Sequence, residues 1–433
     1  MRNPNSHRAT ARAGLALALA AGVSLAPAGA SAETTITFMD LGPERIEFNE
    51  EVIRRFEEAN PDIKVDYRWQ ANEPYKTGIK VMMESNSPPD VLFNWAGSNS
   101  NDFVDAGVVA DLSQSFERGD AWTTDMPTGV VNQYNYKGGL YGVPSQVYTK
   151  TMFKNDAFFE ENGLEVPATM DELIGMCAKV REIDPQMTPI AFGASESWTI
   201  NHYLTILFQR HVDLDTAMAD YLLDKPADEL FTDPGYEAAL NDFKRMIDAD
   251  CFNAGINSVT PEVSRTMFAS GLAATTFCGS GCPPQFDDQG AEGTYSPFPF
   301  PAVAGGKGDQ TGALVGVQGY QVASKSQHPD EAIEFLSFLV SPDNNAMLAE
   351  MVGQLPANAS RLKDGALSEP STLMLDGIAA ANVSVPPLNT IVETSVSDVI
   401  LKSGQDLVAG TIEPAEFMER VREQAREAKE RRG

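Results

Sequence analysis

Apolar positions along this chain recur with two spacings. Short apolar runs closed by Pro, Gly, Ser or Asn predict strands, and apolar residues three and four apart predict helices between them. Thr35 to Met39 reads as a first strand, Asp40-Leu41-Gly42-Pro43 as a turn, and Glu44 to Glu58 as a helix with Ile46, Val52, Ile53 and Phe56 on one face. Asn60-Pro61 stops that helix. Ile63 to Trp69 alternates as a second strand, Tyr75 to Glu84 is helical, and Val91-Leu92-Phe93 follows as a short buried strand between Pro88-Pro89 and Gly97-Ser98-Asn99. The order β-α-β-α-β predicts the α/β class, with a mostly parallel sheet covered by helices. Ligands of such sheets collect outside the carboxyl ends of the strands, so Trp95, Ser98 and Asn99 stand where a ligand would be met. The plainer alternative makes Trp95 a cap on the core, since a buried indole needs no ligand.

The same reading continues downstream. Phe103 to Val109 is a short helix, and a loop runs from Asp111 through Trp122. Tyr134 to Pro144 reads as a hairpin round Gly138-Gly139, and Gln146 to Phe153, carrying Tyr148, as a strand leaving a first lobe. Helices are predicted over 156–162 and 169–182, the second opened by Thr169 and Glu172 at capping-box spacing. Pro189 to Gly193 is a strand ending at Ser195-Glu196-Ser197-Trp198, ahead of a helix over 201–210, which repeats the earlier arrangement of strand, small residues and tryptophan. His202 in that helix reads as a satisfied structural histidine. Helices over 236–250 and 261–269 precede a strand over 272–277. Its continuation, Cys278-Gly279-Ser280-Gly281-Cys282, would let backbone approach a ligand closely. Leu314 to Ala323 is a strand whose Gly316 and Gly319 signal a bulge or close approach. Helices over 329–339, 342–351, 396–408 and 414–431 complete the chain, the last so charged that it reads as a solvated face.

The first 32 residues do not enter the fold: Arg2, Arg8 and Arg12 precede an apolar run from Gly14 to Leu25 and a small-residue cleavage site at Ala30-Ser31-Ala32. The run is too short to span a bilayer. The expectation is an exported, periplasmic chain beginning near Glu33, and, with no cysteine near the cleavage site, no lipid anchor. Removing this segment takes the formal charge from −29 to −32, since it holds three arginines and no acid. So acidic a surface repels phosphates and argues against nucleic acid or anionic lipid as partner. The remaining roughly 400 residues exceed what one core supports, so two lobes are expected.

Four cysteines in an exported chain can oxidise. Cys278 can close a small loop with Cys282, Cys251 can instead pair with either, and Cys177, in an amphipathic helix pattern, reads as an ordinary buried thiol. Their irregular spacing and the lack of a nearby histidine make a poor zinc site, and no metal or cofactor is expected. No GxSxG, HExxH or P-loop pattern occurs.

Taken in order, several segments resemble the extracellular solute-binding proteins of ATP-binding-cassette importers, in the large carbohydrate-binding branch that includes the maltose-binding proteins. They are Phe56-Glu57-Glu58-Ala59-Asn60-Pro61 after the first strand; Pro89-Asp90-Val91 leading to Trp95; Gly138 to Pro144; Met267-Phe268-Ala269-Ser270-Gly271; and Val322 to Lys325 with His328 to Ala332. The resemblance implies a type II periplasmic binding fold: two α/β lobes, each a mixed, mostly parallel sheet flanked by helices, with the ligand in a cleft at the hinge. The implied lobes are 33–145 plus 320–355 and 146–319 plus 356–433, with crossings near Gln146, Gln318 and Leu355. Closure by hinge motion follows. A pyranose offers apolar faces and a ring of hydroxyls, which suits aromatic platforms rimmed by amides and carboxylates.

By the same resemblance Trp95 corresponds to a tryptophan lining the sugar cleft, Trp198 lies near another family aromatic, and Gln146 takes the place of an acid on the crossing segment. The ligand-binding set so read is Gly42, Glu44, Trp95, Ser98, Asn99, Gln146, Tyr148, Trp198, Ser280, Gly281 and Gln318. Asp40, Glu44 and Glu196 are the acids nearest the cleft, with solvated carboxylates as the plainer reading; Trp69 and Trp122 are assigned to packing or surface. Gly279 to Cys282 stand where the family often has an aromatic, which points away from maltodextrin to a different or smaller glycoside. The implied partners are a carbohydrate and the permease subunits of the importer, and the implied state is a monomer without catalytic activity. Two rivals share these residue types. A glycoside hydrolase would need two carboxylates with separated pKa values. A binding protein for a polyamine, iron or a phosphate ester would keep the fold and change the ligand.

Overall fold

A computed structural model of the chain describes residues 33–116 and 126–432; the expected leader, 1–32, and Trp122 lie outside the described residues. In chain order the strands are β1 Thr34–Leu41, β2 Ile63–Gln70, β3 Val91–Trp95, β4 Asn135–Tyr136, β5 Gly139–Leu140, β6 Val143–Asn155, β7 Thr188–Ala191, β8 Ala273–Gly279, β9 Tyr295–Phe298, β10 Ala313–Val322 and β11 Ser384–Val385. The main path runs β2-β1-β3-β10-β6-β8-β7, with β11 on β10 and β9 on β6. β1 pairs in parallel with β2 and β3, and β7 with β8, as the βαβ order predicts. β6 and β10 run antiparallel to each other because one leaves the first lobe and the other returns to it.

Where β6 and β10 cross between the lobes, the register shifts at Gln318/Gly319, and Ser145 is the extra residue. A bulge of this kind bends the strand and re-aims its side chains. Glycine is required at 319 because a Cβ there would fall on the Val143 carbonyl oxygen. Leu355 joins the crossing: its carbonyl accepts from the Val147 N–H (3.0 Å), and the Ala357 N–H donates to the Ser145 carbonyl (3.0 Å).

Several elements differ from their sequence reading, each for a physical reason. β1 runs on through Asp40 and Leu41 instead of turning there, because Asp40 is fully buried in an ion pair with Arg45. A 3-10 turn, Pro43–Arg45, then leads into the helix Ile46–Ala59. The hairpin turn falls on Lys137-Gly138, both at positive φ (47° and 88°), one residue before the expected Gly-Gly pair. Ser98–Asp105 is helical from directly after Gly97, and Ser197–His211 begins ahead of Trp198, so Ser98, Asn99 and Trp198 lie in first helical turns and not in loops. The C-terminal helix Pro414–Arg432 is not simply a solvated face, since Phe417, Met418, Val421, Ala425 and Ala428 enter the core. The helix Leu214–Tyr221 has no counterpart in the sequence reading.

The apolar faces gather into two clusters. One centres on Phe38, Phe56, Phe93, Tyr320 and Phe335; the other on Leu173, Tyr203, Phe208, Phe243 and Phe417. Cys177 is no free thiol: it is bonded to Cys251, with Cα atoms 5.0 Å apart. The helix Met170–Ile183 and the segment after Pro234–Asp248 pack side by side in the second cluster, so residues 74 apart in sequence meet. Cys278 and Cys282 form the second disulfide. All four sulfurs are thereby taken, which removes the zinc alternative. Peptide mapping without reduction is expected to recover Cys177 linked to Cys251 and Cys278 linked to Cys282, and no Cys251–Cys282 peptide.

Candidate binding cleft

Trp95 ends β3 at the sheet edge and stays partly exposed, packed edge-on against Phe93 (5.0 Å between ring centroids) and Tyr75 (6.3 Å). Trp198, in the first turn of the helix Ser197–His211, donates its indole N–H to Glu196 (2.5 Å), whose same oxygen accepts from Asn72 (3.3 Å). Between the two rings lies Lys76, on the helix Asn72–Glu84. Its Nζ is 5.8 Å from the Trp95 centroid and 5.9 Å from that of Trp198. Two indoles more than a hundred residues apart thus flank one ammonium group, which is itself paired to Glu73 (2.7 Å).

Side chains alternate along a strand, so Gln146, Tyr148 and Lys150 of β6 share a face. The Gln146 side-chain amide donates to the Gln318 side-chain carbonyl at the crossing. Tyr148 lies over Gly316, where any Cβ would strike its ring, and 6.4 Å from His202. Lys150 Nζ sits 5.1 Å from the Trp198 centroid and 5.3 Å from that of Phe277. Burial, with the charge of Arg265 second, brings Lys150 down to about 7.

His202 corrects its sequence reading. It is buried, but its Nδ1 has no partner among the described residues, and the ring lies 5.2 Å from Trp198. Burial, then Lys150 and Lys76, hold its pKa well below the usual value, so the ring is neutral.

The other sequence-derived candidates lie as follows. Gly42 (φ +79°) is packed against the Glu44 carboxylate, which is exposed and close enough to Arg265 to bias its charge. Asp40 is no cleft acid: it accepts from Arg45 (2.9 and 3.0 Å) and Asn49 (2.6 Å). Ser280 is buried beside β6, its N–H donating to the Thr149 carbonyl (3.0 Å), while Gly281 faces open space. Asn99 donates to the Asn389 carbonyl (3.4 Å), and Asn201 to the Asn389 side chain (2.5 Å). With Asp102 and Thr394 (2.8 Å) and Gly97 against Thr390, these residues form a seam of long-range contacts between the helix Ser98–Asp105 and residues 389–394. Trp69 is exposed, as its surface assignment expects.

Contacts thus link Trp95 to Trp198 through Lys76, Trp198 to Tyr148 through His202, and Gln146 to Gln318 beside Trp95 on the paired strands, while Asn99 meets Asn389. Lys76, Lys150 and Arg265 were not read from the sequence as site residues. Lys150 had a signal: it follows Gln146 and Tyr148 at strand period. Among the described residues, no group of three or more His, Cys, Asp or Glu side chains could hold a metal ion, and no helix is long and apolar enough to cross a membrane.

Comparison with known proteins agrees with this fold. The model of the family described as bacterial extracellular solute-binding protein matches residues 37–346. The multiple sugar-binding protein of Streptococcus mutans is 24% identical over 334 residues, covering 76% of each chain. Among solved structures, a chain described with xylan utilization by Caldanaerobius polysaccharolyticus superposes with a TM-score of 0.83 at 24% identity, over 90% of this chain and 99% of its own. Maltose-bound MalE3 of T. maritima gives 0.75 at 20% identity, over 91% and 100%.

Proposed function

Because this chain belongs to the bacterial extracellular solute-binding protein family, we propose that it is a periplasmic receptor that captures a mono- or oligosaccharide or glycoside between its lobes and delivers it to the permease subunits of an ATP-binding-cassette importer. One observation carries the sugar reading: Trp95 and Trp198, from different lobes, flank a single point in the cleft, marked by Lys76. Paired aromatic rings suit the apolar faces of a pyranose, and the amides of Gln146 and Gln318 at the crossing suit its hydroxyls. The relatives named above support the same ligand class.

The lobes are 33–145 plus 320–355 and 146–319 plus 356–433, hinged where β6, β10 and Leu355 run side by side. The receptor is a monomer, free of a lipid anchor and without catalytic activity. A polyamine is disfavoured because Lys76 and Lys150 already lie against the tryptophans where its ammonium groups would stack.

Calorimetric titration of the exported chain with mono- and disaccharides, glycosides and spermidine tests this reading. Sugar binding is expected, and spermidine binding with no sugar bound would overturn it. Trp95→Ala and Trp198→Ala are each expected to weaken sugar binding by about 1–1.5 kcal/mol. An unchanged affinity in either folded variant would assign that ring to packing.

A further inference from the structure

The sequence carries 61 acids against 32 lysines and arginines, yet the cleft holds a lysine without an acid. Lys76 pairs with Glu73 (2.7 Å), and Arg265 has Glu262 (3.8 Å) and the Gln285 side chain (3.2 Å). Lys150 has no carboxylate within 4 Å among the described residues and is flanked instead by the faces of Trp198 and Phe277. Aromatic faces attract a cation, but they do not neutralise it. Arg265, on the helix Pro261–Ala269, adds like charge to its surroundings. Two cations sharing a partly buried site repel each other and lose hydration, and a partner of opposite charge relieves both effects.

The other charged or titratable groups facing this point do not supply that partner. Lys76 is a cation, and His202 is neutral. Glu196 is engaged by Trp198 and Asn72, and Glu44 acts on Arg265 from the opposite lobe.

Resting on the sugar-receptor reading above, we propose that the ligand is an acidic sugar, whose carboxylate or phosphate is held by Lys150 with Arg265 beside it while its ring lies against Trp198. Lys150 thereby sets specificity within the cleft. Because burial and Arg265 bring Lys150 down to about 7, it is mostly neutral at pH 8. An arriving anion stabilises the ammonium form, so binding at pH 8 draws in a proton. A neutral sugar draws in none.

The test is calorimetric titration of the exported chain with matched probes: glucose, glucuronate and glucose 6-phosphate, then galactose, galacturonate and digalacturonate. At least one acidic probe is expected to bind about tenfold or more tighter than its neutral counterpart, as a charged hydrogen bond allows. The glucuronate and glucose 6-phosphate arms separate carboxylate from phosphate. At pH 8 the binding enthalpy of that probe is expected to change between buffers of different ionisation enthalpy in the direction of proton uptake. Lys150→Gln should collapse the preference to less than about threefold and abolish the uptake, while Lys150→Arg keeps the preference.

Neutral sugars binding as tightly as acidic ones would overturn the proposal and leave the sugar reading standing. Binding of no sugar of either kind would overturn both. A preference that survives in Lys150→Gln would also overturn it. The wild-type measurements of preference and proton uptake decide the matter even where Lys150→Gln does not fold.

Discussion

Replacing Asp40 with alanine is expected to cost about 3–5 kcal/mol of folding stability, the range for stripping one partner from a buried ion pair. Asp40 is 0% exposed and Arg45 2%. The carboxylate takes both Nε and Nη2 of the guanidinium, while Nη2 also donates to the Leu41 carbonyl (2.5 Å). Burial opposes the charge on Arg45, but Asp40 more than offsets it and holds the guanidinium protonated. Removing Asp40 leaves that cation in a dry site and deprives Asn49 of an acceptor. Arg45→Ala strands the opposite charge and is expected to cost a similar amount.

The double replacement Asp40→Ala with Arg45→Ala should lose less than the two single changes added together, because it leaves neither charge buried alone. Denaturant midpoints of the four proteins at an unchanged m-value check this. Additive losses would show that the pair is uncoupled. The disturbance reaches the cleft, since the guanidinium lies 4.9 Å from the Phe93 ring, which packs against Trp95. Asp40→Ala should therefore also weaken sugar binding at temperatures where it remains folded.

The same pair shows why the sequence was legible in some places and not in others. Periodicity finds strands and helices because burial of apolar side chains enforces it. The β-α-β-α-β opening, the Thr169 capping box with both reciprocal hydrogen bonds, and the bulge beside Gly319 are all readable locally. Asp40 is not, because its neutralising partner is invisible until the chain turns at Pro43 and brings Arg45 back. Cys177 fails for the same reason, its partner being 74 residues away. The helix starts at Ser98 and Ser197 are hidden in the sequence because small polar residues read equally as loop or as first turn.

In the cleft, Trp95 and Trp198 were legible because each follows a buried strand. Lys76 and Lys150 carry no such signal, since a lysine is ordinarily solvated and only the fold shows these two laid against indoles. His202 was legible as buried but not as unsatisfied. A missing partner is a property of three-dimensional neighbours and leaves no trace in spacing.

Gly97→Ala is expected to lower ligand affinity by about 2–3 kcal/mol, roughly 30- to 150-fold, while leaving each lobe folded. Gly97 sits at φ +83°, ψ −140°, a conformation essentially reserved for glycine, directly between Trp95 and the helix Ser98–Asp105. A Cβ there would fall on the Thr390 carbonyl oxygen, which the proposed lobe bounds put across the hinge. The added methyl is therefore expected to act as a wedge between the helix Ser98–Asp105 and the segment carrying Thr390, and so to oppose closure. Gly107→Ala is the matched control, since Gly107 also has positive φ (67°) but nothing within 4 Å of a Cβ. It should carry a backbone penalty in stability without the loss of affinity. Small-angle scattering adds the structural readout: saturating sugar is expected to compact the wild type and Gly107→Ala but not Gly97→Ala. Full compaction and unchanged affinity in Gly97→Ala would mean that the Gly97–Thr390 contact forms no part of closure.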